Sequence, residues 1–384
     1  MDRRIAIVTP TFPPYRGGIG QVALKDAEQL ASLGYEVHVF TPQREAVAAG
    51  PDATFKLHRL PALCRYGNAA FVPAVRRRCA GFPTVLLHYP FFGGAEPLAL
   101  WRRRRGQRLL VMYHMDVIGR GALAGLFSLH TRFVMPRIVA AADRVLVTSF
   151  DYAASSAVAD LYEMRRASFS ELPPSVDTET FRPGERPPNL LARHSLGPDE
   201  RIVLFVGGLD RAHYFKGVPH LLQAVATREL AEVRCLIVGD GDLRPEFERQ
   251  AERLGIAGRT VFVGSVSGPE LPQYLRLADV FAFPSVDRSE AFGIAALEAL
   301  ASGVPVVASD LRGVRTIVRD GINGHLVPPG SISALTLQLN RLFGDPERRR
   351  GLAAAARKMA VEEYAEPRRT ERWRAILERV GSST

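Results

Sequence analysis

The chain has 384 residues, 47% of them hydrophobic and 23% charged, with a net charge of +10. That length suffices for two hydrophobic cores, and the composition is ordinary for a globular protein, which excludes a disordered or collagen-like chain. Three widely spaced cysteines (Cys64, Cys79, Cys235) exclude a disulfide scaffold and a cysteine zinc site, and no uncharged apolar run reaches the ~18 residues of a membrane span, so a soluble, cytoplasmic protein is expected.

The first predicted elements are the strand "RIAIVT", the helix "GQVALKDAEQLASLG" stopped at Gly34, and the strand "EVHVFTP". "TVLLHY", "RLLVMYH" and "RVLVTS" continue the series. Continuous apolar strands separated by helices predict a parallel sheet covered on both faces. Between the first strand and helix stands "PPYRGGIGQVA", in which Gly18, Gly20 and Ala23 match the G-x-G-x-x-A fingerprint of dinucleotide sites. Such a site needs its first glycine directly after the strand and an acid closing the second strand. Here "PTFPPYRG" intervenes before Gly18, and the second strand ends in "VFTPQ", so both conditions fail. Gly17 and Gly18 still permit close approach to the backbone, and the following helix turns its positive end there. The loop suits the phosphates of another ligand, or is a tight turn and nothing more.

Residues 1–175 hold 22 Lys and Arg against 13 Asp and Glu, so this half owns nearly the whole positive surplus. The runs "VRRRCAGF" (75–82) and "WRRRRGQR" (101–108), interleaved with Phe82, Phe91, Phe92 and Trp101, offer a face for peripheral contact with an anionic membrane or for an acidic acceptor. A solvated arginine-rich loop would have the same composition. No helix-turn-helix, zinc-finger or RNP pattern accompanies the charge, so nucleic acid is not expected.

The proline-dense stretch "ELPPSVDTETFRPGERPPNLLARHSLGPDE" reads as the joint between two domains, with a linker over 179–198. A second alternation follows: "RIVLFVGGL", "VRCLIVGDG", "TVFVGSV", "VFAFPS", "VPVVAS" and "GHLVPPG". The fold class is therefore α/β, with two Rossmann-like doubly wound domains over 1–178 and 199–362. The closing segment 363–384 contains the amphipathic "EPRRTERWRAILERV", whose Trp373, Ile376 and Leu377 share one face and pack on a domain surface. Ligands in such folds lie at the carboxyl ends of the strands.

The richest passage is "PSVDRSEAFGIAALEALASGVPVVASD", residues 284–310, with Glu290 in a loop and Glu298 in a helix that starts near Phe292. Backbone N–H groups of Phe292, Gly293 and Ile294 at the helix start make an anion site by geometry. A glycosidase pair needs carboxyls ~5–5.5 or ~6.5–9.5 Å apart. Eight helical residues span ~12 Å, so the two acids grip two parts of one long ligand. In "FVGGLDRAHYFKGVPHLLQA" (205–224), Arg211 and Lys216 follow a strand and a glycine turn. Two such cations suit a diphosphate and can stabilise its departure without a metal; a surface ion pair with Asp210 is the plainer reading. "GDGD" at 239–242 imitates an Asp-x-Asp metal motif, but it closes a strand of the second domain and metal is not expected there. His114 in "VMYHMD" is either a polar strand end or a ligand contact.

Together "GGIG", "GGLDRAHYFKG", "SEAFGIAALEALASGVPVV" and "RDGINGHLVPPG" resemble the retaining nucleotide-sugar glycosyltransferases of family 4, of the GT-B fold, over nearly the whole chain. The resemblance implies two domains facing across a cleft, with the C-terminal helix crossing back to the first. It implies that Glu290 holds donor-sugar hydroxyls, Glu298 the ribose hydroxyls, and Arg211 and Lys216 the diphosphate. Phe292, Gly293 and Ile294 would offer backbone contacts, and the segment from Gly264 to Val266 would lie beside the base. The Gly17–Gly18 loop would close over the phosphates and His114 would contact the sugar. Ser175 in "PSVDTETF" departs from the glycine usual in the family, which touches the hinge and not the chemistry. The expected donor is a UDP- or GDP-sugar and the acceptor a hydroxyl of a lipid-linked or soluble glycan or glycoside. A nucleotide-sugar epimerase, a glycoside phosphorylase, or a non-catalytic nucleotide-sugar-binding protein would share the fold.

Overall fold

A computed structural model describes residues 2–14, 17–43, 54–66, 69–100, 106–117, 124–266 and 268–382. Trp101 and the arginines at 102–105 lie outside the described residues. The chain divides into two compact units, Met1–Pro174 with Arg369–Thr384, and Ser175–Arg368.

The first unit contains β1 (Arg4–Val8), β2 (Glu36–Pro42), β3 (Lys56–Leu60), β4 (Cys64–Tyr66), β5 (Ala69–Phe71), β6 (Thr84–Tyr89), β7 (Arg108–Tyr113), β8 (Arg144–Val147) and β9 (Phe169–Glu171). Strands β4 and β5 form a separate antiparallel pair. The others make one parallel sheet in the order β3-β2-β1-β6-β7-β8-β9. The order reverses between β1 and β6. Ile5, Ile7, Val37, Val39, Leu86, Leu110 and Met112 turn to one face, and there they meet Trp373, Ile376 and Val380 of the helix Glu366–Ser382. Trp373 is fully buried. Truncating such an aromatic typically costs ~3–5 kcal/mol, so this helix is held by its core contacts more than by local propensity.

The second unit contains β10 (Arg201–Val206), β11 (Val233–Val238), β12 (Thr260–Gly264), β13 (Val280–Phe283), β14 (Val306–Ser309) and β15 (Gly324–Val327), all parallel, in the order β12-β11-β10-β13-β14-β15. The strands are mainly apolar because both faces are covered, with Arg201, Arg234, Thr260, Ser309 and His325 as the exceptions. Ile202 and Leu204 belong to one core cluster, Val203 and Phe205 to the other, as the two-residue period of a strand demands. The switch in strand order lies between β10 and β13, and these two strand ends carry the candidate site.

The proline-dense segment differs from its reading as a linker. It contains the helix Pro188–Arg193, and Leu190 and Leu196 are buried in the core of the second unit. Pro188 takes the first helical turn, where a missing N–H costs nothing. Proline density here marks a helix start and not a free joint, and the units divide at Pro174 and Ser175. At the other end, the long helix Pro346–Tyr364 stops at Ala365, which is extended, and Val176 N–H donates to Tyr364 O at 2.9 Å within the second unit. Among the described residues no helix is long and apolar enough to cross a membrane.

Candidate active site

At the end of β10 the chain turns through Gly207 and Gly208 into a 3₁₀ segment, Arg211–Lys216. Asp210 caps this turn by accepting from the backbone N–H of Ala212 at 2.9 Å and of His213 at 3.2 Å. Gly217 ends it at φ +73°, and a Cβ there would lie 1.9 Å from the carbonyl oxygen of Pro284. Only glycine fits both the left-handed backbone and that approach. The loop after β13 is fastened to the same turn. Val286 N–H donates to Phe215 O at 2.8 Å, and Tyr214 Oη donates to Asp287 Oδ2 at 2.7 Å.

This stitching brings Lys216 onto Glu290, with Nζ 2.6 Å from Oε2 and the two side chains only 16% and 9% exposed. Ser285, fully buried, donates to the same oxygen at 3.0 Å. The ammonium also stands 5.3 Å from the ring of Phe215 and 5.2 Å from that of Phe283. Oε1 of Glu290 makes no hydrogen bond among the described residues.

Beyond Glu290, Gly293 adopts φ +99° and caps the helix Ile294–Ala301. The helix therefore starts two residues later than Phe292. Among the described residues the backbone N–H groups of Phe292, Gly293 and Ile294 donate to no acceptor, which leaves them for an anion. Glu298 lies in that helix without a side-chain hydrogen bond among the described residues, and although the residue keeps partial access to solvent, the apolar packing that strips water from its carboxyl pushes its pKa up to about 8. Gly264 closes β12 at φ +86° and accepts from Gly239 N–H at 2.9 Å, with Val266 partly buried just beyond.

Arg211 pairs with Asp242 and not with Asp210. Its backbone N–H donates to Asp242 Oδ1 at 3.0 Å, its Nε lies 3.1 Å from Oδ2, and its side chain is 82% exposed. Asp210 is occupied by its capping role and by His213 at 2.8 Å. In "GDGD" Asp240 approaches Arg244 at 3.7 Å, so both acids of that motif face arginines.

In the first unit the helix Gly18–Ser32 begins after Gly17. Among the described residues nothing lies within 4 Å of a Cβ placed on Gly18, whereas one on Gly20 would lie 3.1 Å from Thr11 O. Gly20 is thus fixed by packing and Gly18 borders open space. His114 follows β7, is buried, and its Nε2 lies 2.8 Å from Nδ1 of His88. Burial, and then the neighbouring His88, holds its pKa well below the usual histidine range.

The pattern described as "Glycosyl transferases group 1" matches residues 188–359, and that described as "Glycosyl transferase 4-like domain" matches 17–160. A D-inositol 3-phosphate glycosyltransferase of Nocardia farcinica is 32% identical over 377 residues, covering 88% of this chain and 80% of the relative. The chain belongs to the family 4 glycosyltransferases. A GDP-mannose-dependent alpha-(1-6)-phosphatidylinositol monomannoside mannosyltransferase of Mycolicibacterium smegmatis is 29% identical, covering 93% of this chain and 94% of the relative. Sucrose-phosphate synthase from Thermosynechococcus elongatus shares the GT-B fold at TM-score 0.83, with 24% identity and all of both chains covered. Anabaena Alr3699/HepE, solved with UDP and glucose, does so at TM-score 0.76 and 19% identity, again over all of both chains.

In this glycosyltransferase the raised carboxyl pKa of Glu298 has a consequence for stability. The native protein keeps a proton there that the unfolded chain releases near 4.5. Its stability therefore falls as pH rises between about 4.5 and 8. Glu298→Gln removes this dependence. Its melting temperature relative to wild type should climb between about pH 5 and 8.5; a constant difference across that range contradicts the burial of the carboxyl.

Proposed function

We propose that this glycosyltransferase moves a sugar from a UDP- or GDP-sugar to a hydroxyl acceptor with retention at the anomeric carbon and without a metal. The observation that carries the reading is the Lys216–Glu290 pair beside the undonated N–H groups of Phe292, Gly293 and Ile294. When the bond from the anomeric carbon to the diphosphate oxygen breaks, negative charge grows on that oxygen. Lys216 and the helix start supply positive potential already in place, where it stabilises a transition state most. Arg211, exposed at the surface, exchanges Asp242 for phosphate and completes the charge. The acceptor oxygen bonds to the same face of the sugar, and its proton passes to the departing phosphate. No carboxylate nucleophile enters this scheme.

Glu290 Oε1 is assigned to donor-sugar hydroxyls and Glu298 to the ribose hydroxyls. Gly264 and Val266 are assigned to the base. Gly17 and Gly18 are assigned to the donor phosphates, which the open space at Gly18 supports. His114 is assigned to a hydroxyl of the donor sugar. Two relatives are named for phosphorylated inositol acceptors, which are anionic. An anionic acceptor matches the positive surplus of residues 1–175.

The same half supports peripheral contact with an anionic membrane. Leu126, Leu129 and Phe133 are 62%, 58% and 51% exposed at helical spacing, and residues 124–140 include Arg132 and Arg137 but no acid. Arg76, Arg77 and Arg78 are exposed on the helix Ala74–Cys79. An apolar stripe beside arginines suits the headgroup region of a bilayer.

Lys216→Ala should lose ~2.7–4 kcal/mol of transition-state stabilisation, a fall of roughly a hundredfold or more in turnover, in a protein that still folds although Glu290 has lost its partner. The assay is donor-dependent transfer in excess chelator, in which the wild type retains full rate; near wild-type turnover of the variant refutes the assignment. Co-sedimentation at low salt should find the protein on vesicles containing anionic lipid and not on neutral ones. Absence of binding to both removes the membrane reading.

A further inference from the structure

The first unit buries a chain of polar groups that no packing requirement explains. Asp26 lies on the apolar side of the helix Gly18–Ser32 and is fully buried. Its Oδ1 accepts from Trp373 Nε1 at 2.7 Å and from Arg369 Nη1, and Arg369 also donates to Gln29 Oε1 at 2.8 Å and to Pro173 O at 2.9 Å. Its Oδ2 has no hydrogen-bond partner, and 3.6 Å away stands Nε2 of His88, equally buried and equally without one. His88 Nδ1 then reaches His114 Nε2 at 2.8 Å, the two rings stacked at 5.0 Å. Burial, and then the guanidinium of Arg369, lowers the pKa of His88 to about 3, and His114 is held low as well. Each ring is neutral and carries one N–H.

One proton per ring ties the two tautomers together. A lone pair on His88 Nε2 facing the carboxylate of Asp26 is repulsive, whereas an N–H there is attractive even at 3.6 Å, a distance longer than a hydrogen bond. With its proton on Nε2, His88 offers Nδ1 as acceptor. His114 must then donate from Nε2, and its Nδ1 is left as a lone pair without a partner among the described residues.

We propose that Asp26 and His88 are positioning residues, which hold His114 as its Nε2–H tautomer so that Nδ1 accepts a hydrogen bond from a donor-sugar hydroxyl. The proposal rests on the assignment of His114 to the donor sugar. Trp373 and Arg369 orient the Asp26 carboxylate, so the helix Glu366–Ser382 sets the hydrogen-bonding sense of a residue at the end of β7.

The test uses Asp26→Asn in the full chain. Oδ1 must still accept from Trp373 and Arg369, which leaves the amide nitrogen at the Oδ2 position, donating to His88 Nε2. His88 then carries its proton on Nδ1 and donates to His114 Nε2. His114 becomes the Nδ1–H tautomer, a donor where the wild type offers an acceptor, so the sugar hydroxyl must turn and accept instead. Nitrogen-15 imidazole correlation spectra of the histidine-labelled protein read this directly. The wild type should show Nε2–H at both rings and Asp26→Asn should show Nδ1–H at both, with kcat/KM for the donor lowered several-fold, up to about tenfold, as when one hydrogen bond is weakened. His88→Phe keeps the Asp26–Arg369 contact should Asp26→Asn not fold, and His114 should then show both tautomers. A wild-type His114 protonated on Nδ1, or an unaltered tautomer in the folded variants, overturns the relay. His114→Ala separates the two claims: full transfer activity there, with the tautomer shifts as described, overturns the sugar contact and leaves the relay standing.

Discussion

Lys216 and Glu290 stand 74 residues apart in the chain and 2.6 Å apart in the fold. What joins them is the strand order of the second unit, which places β10 beside β13 although β11 and β12 intervene in sequence. The contact is nearly dry, and a pair in such surroundings gains little net stability because both charges give up water. Its value is positional. The ammonium is kept between Glu290 and two aromatic rings, and in the proposed reading it would need little reorganisation when charge develops on the ligand. Gly217 is the condition for all of this, since any side chain there would strike Pro284.

The first unit answers with a different device. Instead of a cation held against a carboxylate it has a buried acid, Asp26, satisfied on one oxygen by the tryptophan and arginine of a distant helix and turned with the other toward His88. A buried polar network of this kind is costly when half satisfied, and it specifies geometry when complete. Here it links the last helix of the chain to the strand ends of the first sheet.

Much of this was legible in the sequence. Every strand of the second sheet coincides with an apolar run quoted from the sequence, because a parallel sheet buried on both faces leaves few polar positions to blur the pattern. The flanks of Glu290 and Glu298 were equally legible, since the residues that shape that loop and helix are contiguous. The proline-dense segment was misread because proline is as welcome at the first turn of a helix as in a linker. The alternative that paired Arg211 with Asp210, its neighbour, fails because the capping demand of two backbone N–H groups takes that carboxylate and leaves Asp242 for the arginine. His88, Asp26 and Arg369 were missed altogether. Their signal was there: a histidine inside "TVLLHY" and an aspartate on the apolar side of a helix are polar groups where only satisfied ones survive. Their partners lie in another element, at separations that no local pattern reveals.

The central claim is that the ends of β10 and β13 hold the donor's diphosphate. A crystal structure with bound UDP or GDP tests it most directly. The account predicts phosphate oxygens within hydrogen-bond distance of Lys216 Nζ and of the N–H groups of Phe292, Gly293 and Ile294, with the ribose hydroxyls on Glu298. A nucleotide seated elsewhere, with Lys216 still on Glu290 and Arg211 still on Asp242, would contradict it.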